Sequence, residues 1–168
     1  DKTISTTAKI LETPGFETQQ GQYAEHDAFM TEMEQNITQM HLMVNTLFSA
    51  KTQLKGIIND LEDNSLKQAG ITLYNKLNAW DEDMIQRKSK AYDDVENYPN
   101  KFTAEFLFLI NQTSSPLPRI NEPNKARFKE LMTAWEALDK RAKELMETEI
   151  PAYNKKLWDA GVGAVKVP

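Results

Sequence analysis

Residues 30–61 read MTEMEQNITQMHLMVNTLFSAKTQLKGIINDL, and their spacing decides the fold. Met30, Met33, Ile37, Met40, Val44, Leu47, Leu54, Ile58 and Leu61 recur at steps of three and four, broken only where Lys51 takes an apolar place. An α-helix turns about every 3.6 residues, so these side chains fall on one stripe along one face. Phe29, Met43, Phe48 and Ile57 widen that stripe beyond a two-stranded seam. The helix expected over residues 18–60 must therefore touch more than one neighbour. Gly56 is the weak residue inside it, but a helical glycine costs only about 1 kcal/mol relative to alanine.

Downstream, the short polar stretch 60–65 separates this helix from a second. Ser65 and Gln68 have the spacing of a capping box, in which each side chain satisfies an amide that the helix leaves unpaired. The second stripe runs through Leu66, Ala69 or Gly70, Leu73, Leu77, Trp80 and Met84, then fades into the polar run 87–97. So short a connection makes the first two helices antiparallel. Tyr98-Pro99-Asn100 punctuates the chain, since proline suits the first turn of a helix and not its middle. A short third helix is expected over 99–112, with Phe102, Phe106, Leu109 and Ile110 inward. Pro116-Leu117-Pro118 cannot continue it.

Asparagine at 121 and 124 around Pro123 announces a fourth helix. Its stripe is Phe128, Leu131, Trp135, Leu138, Ala142 and Leu145, and pairs such as Glu136 with Lys140 make its other face a solvated one. Pro151 should kink or break it, and a last turn through Tyr153, Leu157 and Trp158 ends before Gly161. Upstream, residues 1–17 are rich in Thr and Ser, alternate weakly through Ile4, Ala8 and Ile10, and close on a turn at Thr13-Pro14-Gly15. That arm either packs along the bundle or is the last strand of a preceding domain. The fold expected is all-α: an antiparallel bundle of three long helices and one short one over 18–168, with an extended N-terminal arm over 1–17.

Composition agrees with a packed domain. The chain has 168 residues, of which 40% are hydrophobic and 27% charged, too apolar for a disordered tail. Its longest apolar run, at 106–110, is far short of the about 20 residues that span a bilayer. With a net charge of −5 and basic residues scattered among acids, most of the surface repels a phosphate backbone, which argues against nucleic acid. The absence of cysteine excludes disulfides and thiolate chemistry. The opening Asp1-Lys2-Thr3-Ile4 lacks both methionine and a signal-like stretch, as expected of a processed chain or a piece of a longer one.

Residues able to carry chemistry have plainer readings. Met30, Met33, Met40 and Met43 are soft metal ligands, but at helical spacing beside Ile37 and Val44 they read as core. His26 and His41 are about four turns apart, too far to share one metal on one straight helix; His41 should flank the core and His26 face water. No Glu-x-x-His or His-Glu-x-x-His unit occurs. Glu32 with Glu34, Asp81 with Asp83, and Asp93-Asp94 with Glu96 are the carboxylate pairs; acid and base work needs two converging in a cleft, and on long helices they read as solvated. No serine or threonine has an evident histidine partner, and no glycine-rich phosphate loop is present. Asn36-Ile37-Thr38 and Asn111-Gln112-Thr113 match a glycan-acceptor pattern, but both fall on expected helices. Tyr98, Tyr153 and Trp158 at helix ends read as closure of the bundle, the alternative being an anchor for a partner domain. No catalytic, cofactor or metal residue is assigned.

The ordered set Tyr98-Pro99-Asn100-Lys101-Phe102, Ser114-Ser115, Pro123, Leu131 to Trp135 and Ile150-Pro151-Ala152-Tyr153-Asn154-Lys155-Lys156-Leu157 before Gly161 carries a resemblance. It resembles the C-terminal helical region of large exported bacterial proteins with a sortilin-like, BNR-repeat β-propeller, commonly labelled glycosyl-hydrolase-like. The Pro116-Leu117-Pro118 crossing departs from that pattern. The resemblance implies a periplasmic or outer-surface location, an upstream β-propeller and β-sandwich as partners, and no catalytic residues in this region. The expected function is a non-catalytic helical accessory or interaction domain; the alternative is a stand-alone bundle that binds a protein partner or an apolar ligand between its helices.

Overall fold

The computed structural model describes residues 2–11, 14 and 18–167. Helix α1 spans Gln22–Asp60, α2 Asn64–Met84, α3 Phe102–Thr113, α4 Glu122–Glu144 and α5 Ile150–Asp159, with a 3-10 turn at Tyr92–Glu96 and a π turn at Leu145–Glu149. The protein is an all-α bundle, and no strand occurs among the described residues. Residues 2–11 form an exposed arm without regular structure. Thr13 and Gly15 of the expected turn, and the arm's boundary at residue 17, lie outside the described residues.

α1 is 39 residues long, about 58 Å at about 1.5 Å per residue, and it is the spine of the bundle. It starts at Gln22 and not at Thr18 because Gly21 takes a left-handed conformation, φ 92°, which ends helical propagation toward the N-terminus. α2 runs back along it: Ile58 faces Gly70, and Lys51 meets Asn78 and Asp81. The cap of α2 is Asp63, whose Oδ1 accepts the Leu66 amide at 2.7 Å, so the expected Ser65 box is displaced by one acid two residues earlier. An aspartate at that position satisfies the orphan amide and complements the helix dipole.

α3 follows α2 down the same side of α1. The Thr103 hydroxyl donates to the Met84 carbonyl at 2.9 Å, tying the start of α3 to the end of α2, and the far end of α3 reaches His26 of α1. Together α2 and α3 form one rod, interrupted by the excursion 85–101. α3 begins at Phe102, three residues after Pro99, because Gln86 Nε2 donates to the Pro99 carbonyl and holds that segment as loop. α4 then returns antiparallel to α3, with Thr113 against Asn124, Phe106 against Phe128 and Phe102 stacked on Trp135.

Pro151 disrupts the fourth helix as expected: the α geometry stops at Glu144 and resumes only at Ile150, after the π turn. Its ring would collide with the Glu147 carbonyl in a continuous α-helix, and it has no amide to give. The π turn takes up an extra residue just before it: the Ile150 amide bonds the Leu145 carbonyl, and Pro151 sits in the first turn of α5, where no amide is needed. α5 ends on Gly161, φ 73°, with the Val162 amide on the Leu157 carbonyl and the Gly161 amide on that of Trp158, a left-handed cap that favours glycine. The outer face of α4 pairs Asp139 with Lys143 and Arg127 with Glu130 rather than Glu136 with Lys140; such exposed pairs are screened by water and contribute little to stability.

The core runs the length of the bundle, with Met33, Met40, Leu54, Trp80, Met84, Phe106 and Leu157 fully enclosed. Two glycines with one helical environment separate on packing. A Cβ on Gly70 would lie 2.4 Å from the Tyr153 hydroxyl and 2.8 Å from Ile58 Cγ1, whereas one on Gly56 meets nothing within 4 Å. Gly56→Ala is therefore expected to stabilise by about 1 kcal/mol, and Gly70→Ala to destabilise by about 1–3 kcal/mol. Urea midpoints of the two variants check this, and a gain at Gly70 would show that Tyr153 yields freely.

Candidate functional site

The Lys51 that interrupts the α1 stripe is 8% exposed, and opposite it on α2 lies Asp81, 2% exposed. Asp81 falls four residues after Leu77, on the inner face of α2. Lys51 Nζ is 2.6 Å from Asp81 Oδ2 and 3.2 Å from Asn78 Oδ1. Arg87, just beyond the end of α2, grips the same carboxylate with both arms: Nε donates to Oδ2 at 2.7 Å and Nη2 to Oδ1 at 2.6 Å. The ring of Phe48 lies 3.9 Å from the Arg87 guanidinium and 4.9 Å from the Lys51 ammonium, favourable to both cations. The carboxylate pair Asp81 and Asp83 is thus split, since Asp83 is exposed and bound to Arg141.

Burial pushes the Asp81 carboxyl up, but hydrogen bonds from Arg87 and Lys51, then their positive charge, outweigh it and hold it below the usual carboxylate range. A general acid working near neutrality needs the opposite shift. Asp81 is built as a counter-ion.

The triad lines a hollow of about 300 Å³ at the break between α2 and α3, which Glu82, Gln86, Lys88 and Lys101 complete. Gln86 clips the two ends of the excursion together, donating to the Pro99 carbonyl and accepting from the Lys88 amide. Farther round, Asp94 accepts the amides of Lys90 and Ala91, which hold its carboxyl below the usual range. That acid fixes a loop rather than joining Asp93 and Glu96 in a site. Glu32 and Glu34 both face water.

The remaining candidates are dispersed. Met33 and Met40 are enclosed in the core and Met30 and Met43 pack against it. His26 does not face open water: its Nε2 donates to the Thr113 carbonyl at 3.1 Å, closing one of the unpaired carbonyls at the end of α3. His41 is half-buried on α1. Thr113 is buried with its hydroxyl on the Leu109 carbonyl, and Asn36 donates to the Glu32 carbonyl, so both glycan-acceptor patterns are helix residues. Among the described residues no cluster of three or more His, Asp or Glu is placed to hold a metal, and no helix is long and apolar enough to cross a membrane.

The three helix-end aromatics part company. Tyr153 is buried, donating to the Leu66 carbonyl at 3.2 Å, and closes the bundle as expected. Tyr98 is partly exposed, and Trp158, against the expectation of closure, is 79% exposed. It follows Leu157 directly, so one helical step carries it off the inward stripe Ile150, Tyr153, Leu157. It stands at a cleft of about 1070 Å³ floored by Met146, Ile150, Pro151 and Val165. One wall is the C-terminal stretch 164–167, which is itself neither helix nor strand. Two side-chain amides hold it instead: Asn154 bonds both the amide and the carbonyl of Val165, each at 2.8 Å, and Gln53 does the same for Lys166 at 3.0 and 3.1 Å. Nothing in the periodicity announces these clamps: Gln53 and Lys166 are 113 positions apart, and Asn154 and Val165, 11 apart, are joined across the end of α5.

No protein family, curated protein or solved structure matches this chain.

Proposed function

We propose that this chain is a non-catalytic helical accessory domain that packs against a neighbouring domain or partner protein. The observation that carries the reading is Trp158: a large aromatic side chain, 79% exposed at the mouth of an apolar cleft, on a bundle whose other tryptophans are buried. Aromatic anchors of this kind contribute disproportionately to interfaces. The pairing of Asp81 supports the non-catalytic half, since its charge is committed to Lys51 and Arg87. The resemblance of the turns at Tyr98-Pro99-Asn100 and Ile150-Pro151 names the parent class in this proposal: an exported bacterial, sortilin-like, BNR-repeat glycosyl-hydrolase-like protein, with the neighbour its upstream propeller or sandwich and the location periplasmic or outer-surface.

The test compares hydrogen exchange in the isolated chain and in the protein expressed with its upstream domains. Exchange over residues 146–167 should slow in the longer protein, and Trp158→Ala should restore the faster rate without lowering the melting temperature. Equal exchange in both forms contradicts docking through this face. Turnover of aryl glycosides by the isolated chain at enzyme-like rates would contradict the non-catalytic half.

A further inference from the structure

The hollow at the break between α2 and α3 has an electrostatic character opposite to that of the whole molecule. Four cations, Lys51, Arg87, Lys88 and Lys101, line it against two carboxylates, Asp81 and Glu82, a net charge of +2 in a chain whose total is −5. Asp81 is already shared by Lys51 and Arg87, and the Glu82 carboxylate accepts from Asn78. Among the described residues neither Lys88 nor Lys101 has an ion-pair partner, and Arg87 Nη1 makes no hydrogen bond. The triad is itself unbalanced, with two cations on one carboxylate, and Lys51 is almost fully withdrawn from water. A positive excess in a concave, partly desolvated site acts on an incoming anion far more strongly than the same charges spread over open surface.

The site is also held in shape. Lys51 and Asn78 come from α1 and α2, Arg87 is fixed by two bonds to Asp81, and Gln86 joins the Lys88 end of the excursion to the segment before Lys101. Its volume of about 300 Å³ is at the small end of the range for ligand pockets. We infer that this hollow binds a compact anion, a carboxylate or phosphate group, with Lys88 and Lys101 closing on it and Arg87 Nη1 donating from the wall.

Inorganic phosphate and succinate, titrated separately into the folded chain at low ionic strength and followed by amide chemical shifts, test this. Saturable shifts are expected at Lys51, Asp81, Arg87, Lys88 and Lys101, and the tighter of the two probes distinguishes a phosphoryl from a carboxylate ligand. Lys88→Gln with Lys101→Gln should weaken binding by about tenfold or more, the loss expected on removing two charge-assisted contacts. Melting in the absence of anion should not change, because neither ammonium supports the fold. Lys129→Gln with Lys140→Gln, on the exposed face of α4, should bind as the parent does. The proposal is overturned by the absence of saturable shifts with both probes, by shifts scattered over the surface, or by undiminished binding in the Lys88/Lys101 variant.

Discussion

Asp81→Ala is expected to destabilise the protein by about 3–5 kcal/mol, the cost of leaving a buried charge without its partner. The carboxylate is 2% exposed, and its removal strands Lys51, which is 8% exposed and is left with the Asn78 side-chain oxygen and the Phe48 ring but no opposite charge. Arg87 suffers less, since its side chain reaches solvent and retains the Phe48 face. The effect should read as a lower denaturant midpoint with an unchanged slope. The same reasoning makes Lys51→Met with Asp81→Leu milder than Asp81→Ala alone, because paired apolar replacement removes both desolvation penalties. If the double variant were the less stable of the two, the pair would be supplying net stability.

Trp80→Ala should cost a comparable amount, about 3–5 kcal/mol, as large-to-small changes in a packed core do. Trp80 is fully enclosed where α2 crosses α4, and its indole Nε1 donates to the Leu138 carbonyl at 2.8 Å. Trp80→Phe retains most of the volume and loses the hydrogen bond, so its cost should be nearer about 1 kcal/mol. Near-equal losses in the two variants would mean that the hydrogen bond, and not the packing, joins these helices.

The helices were legible because their determinants are local. Met33, Ile37, Met40, Val44 and Leu47 repeat at helical spacing and are all buried, and Asn121 caps α4 as its residue type requires, accepting the Asn124 amide at 2.7 Å. The ion triad left two traces: Lys51 stands in the α1 stripe, and Asp81 lies four residues beyond Leu77 on the α2 stripe. Reading Asp81 only as a neighbour of Asp83 hid the second, since adjacency along the chain says little about which helix face a side chain occupies. The stacking of α3 beyond α2, and the clamping of 162–167 by Gln53 and Asn154, depend on contacts between distant segments and leave no periodic signal. Pro151 was visible as a helix disruption; its resolution by a π turn depends on where the surrounding core side chains must point.

The carboxyl carbon resonance of Asp81, followed by NMR through an acid titration of the intact protein, tests the central reading of the site as paired charge rather than acid chemistry. A carboxyl whose folded pKa is depressed contributes stability that is complete above its unfolded pKa and lost as pH falls through the lower folded value. Asp81 should therefore stay ionised until the pH is below the ordinary carboxylate range, with unfolding following its protonation. A midpoint above that range, toward neutrality, would contradict the account and mark Asp81 as a proton donor.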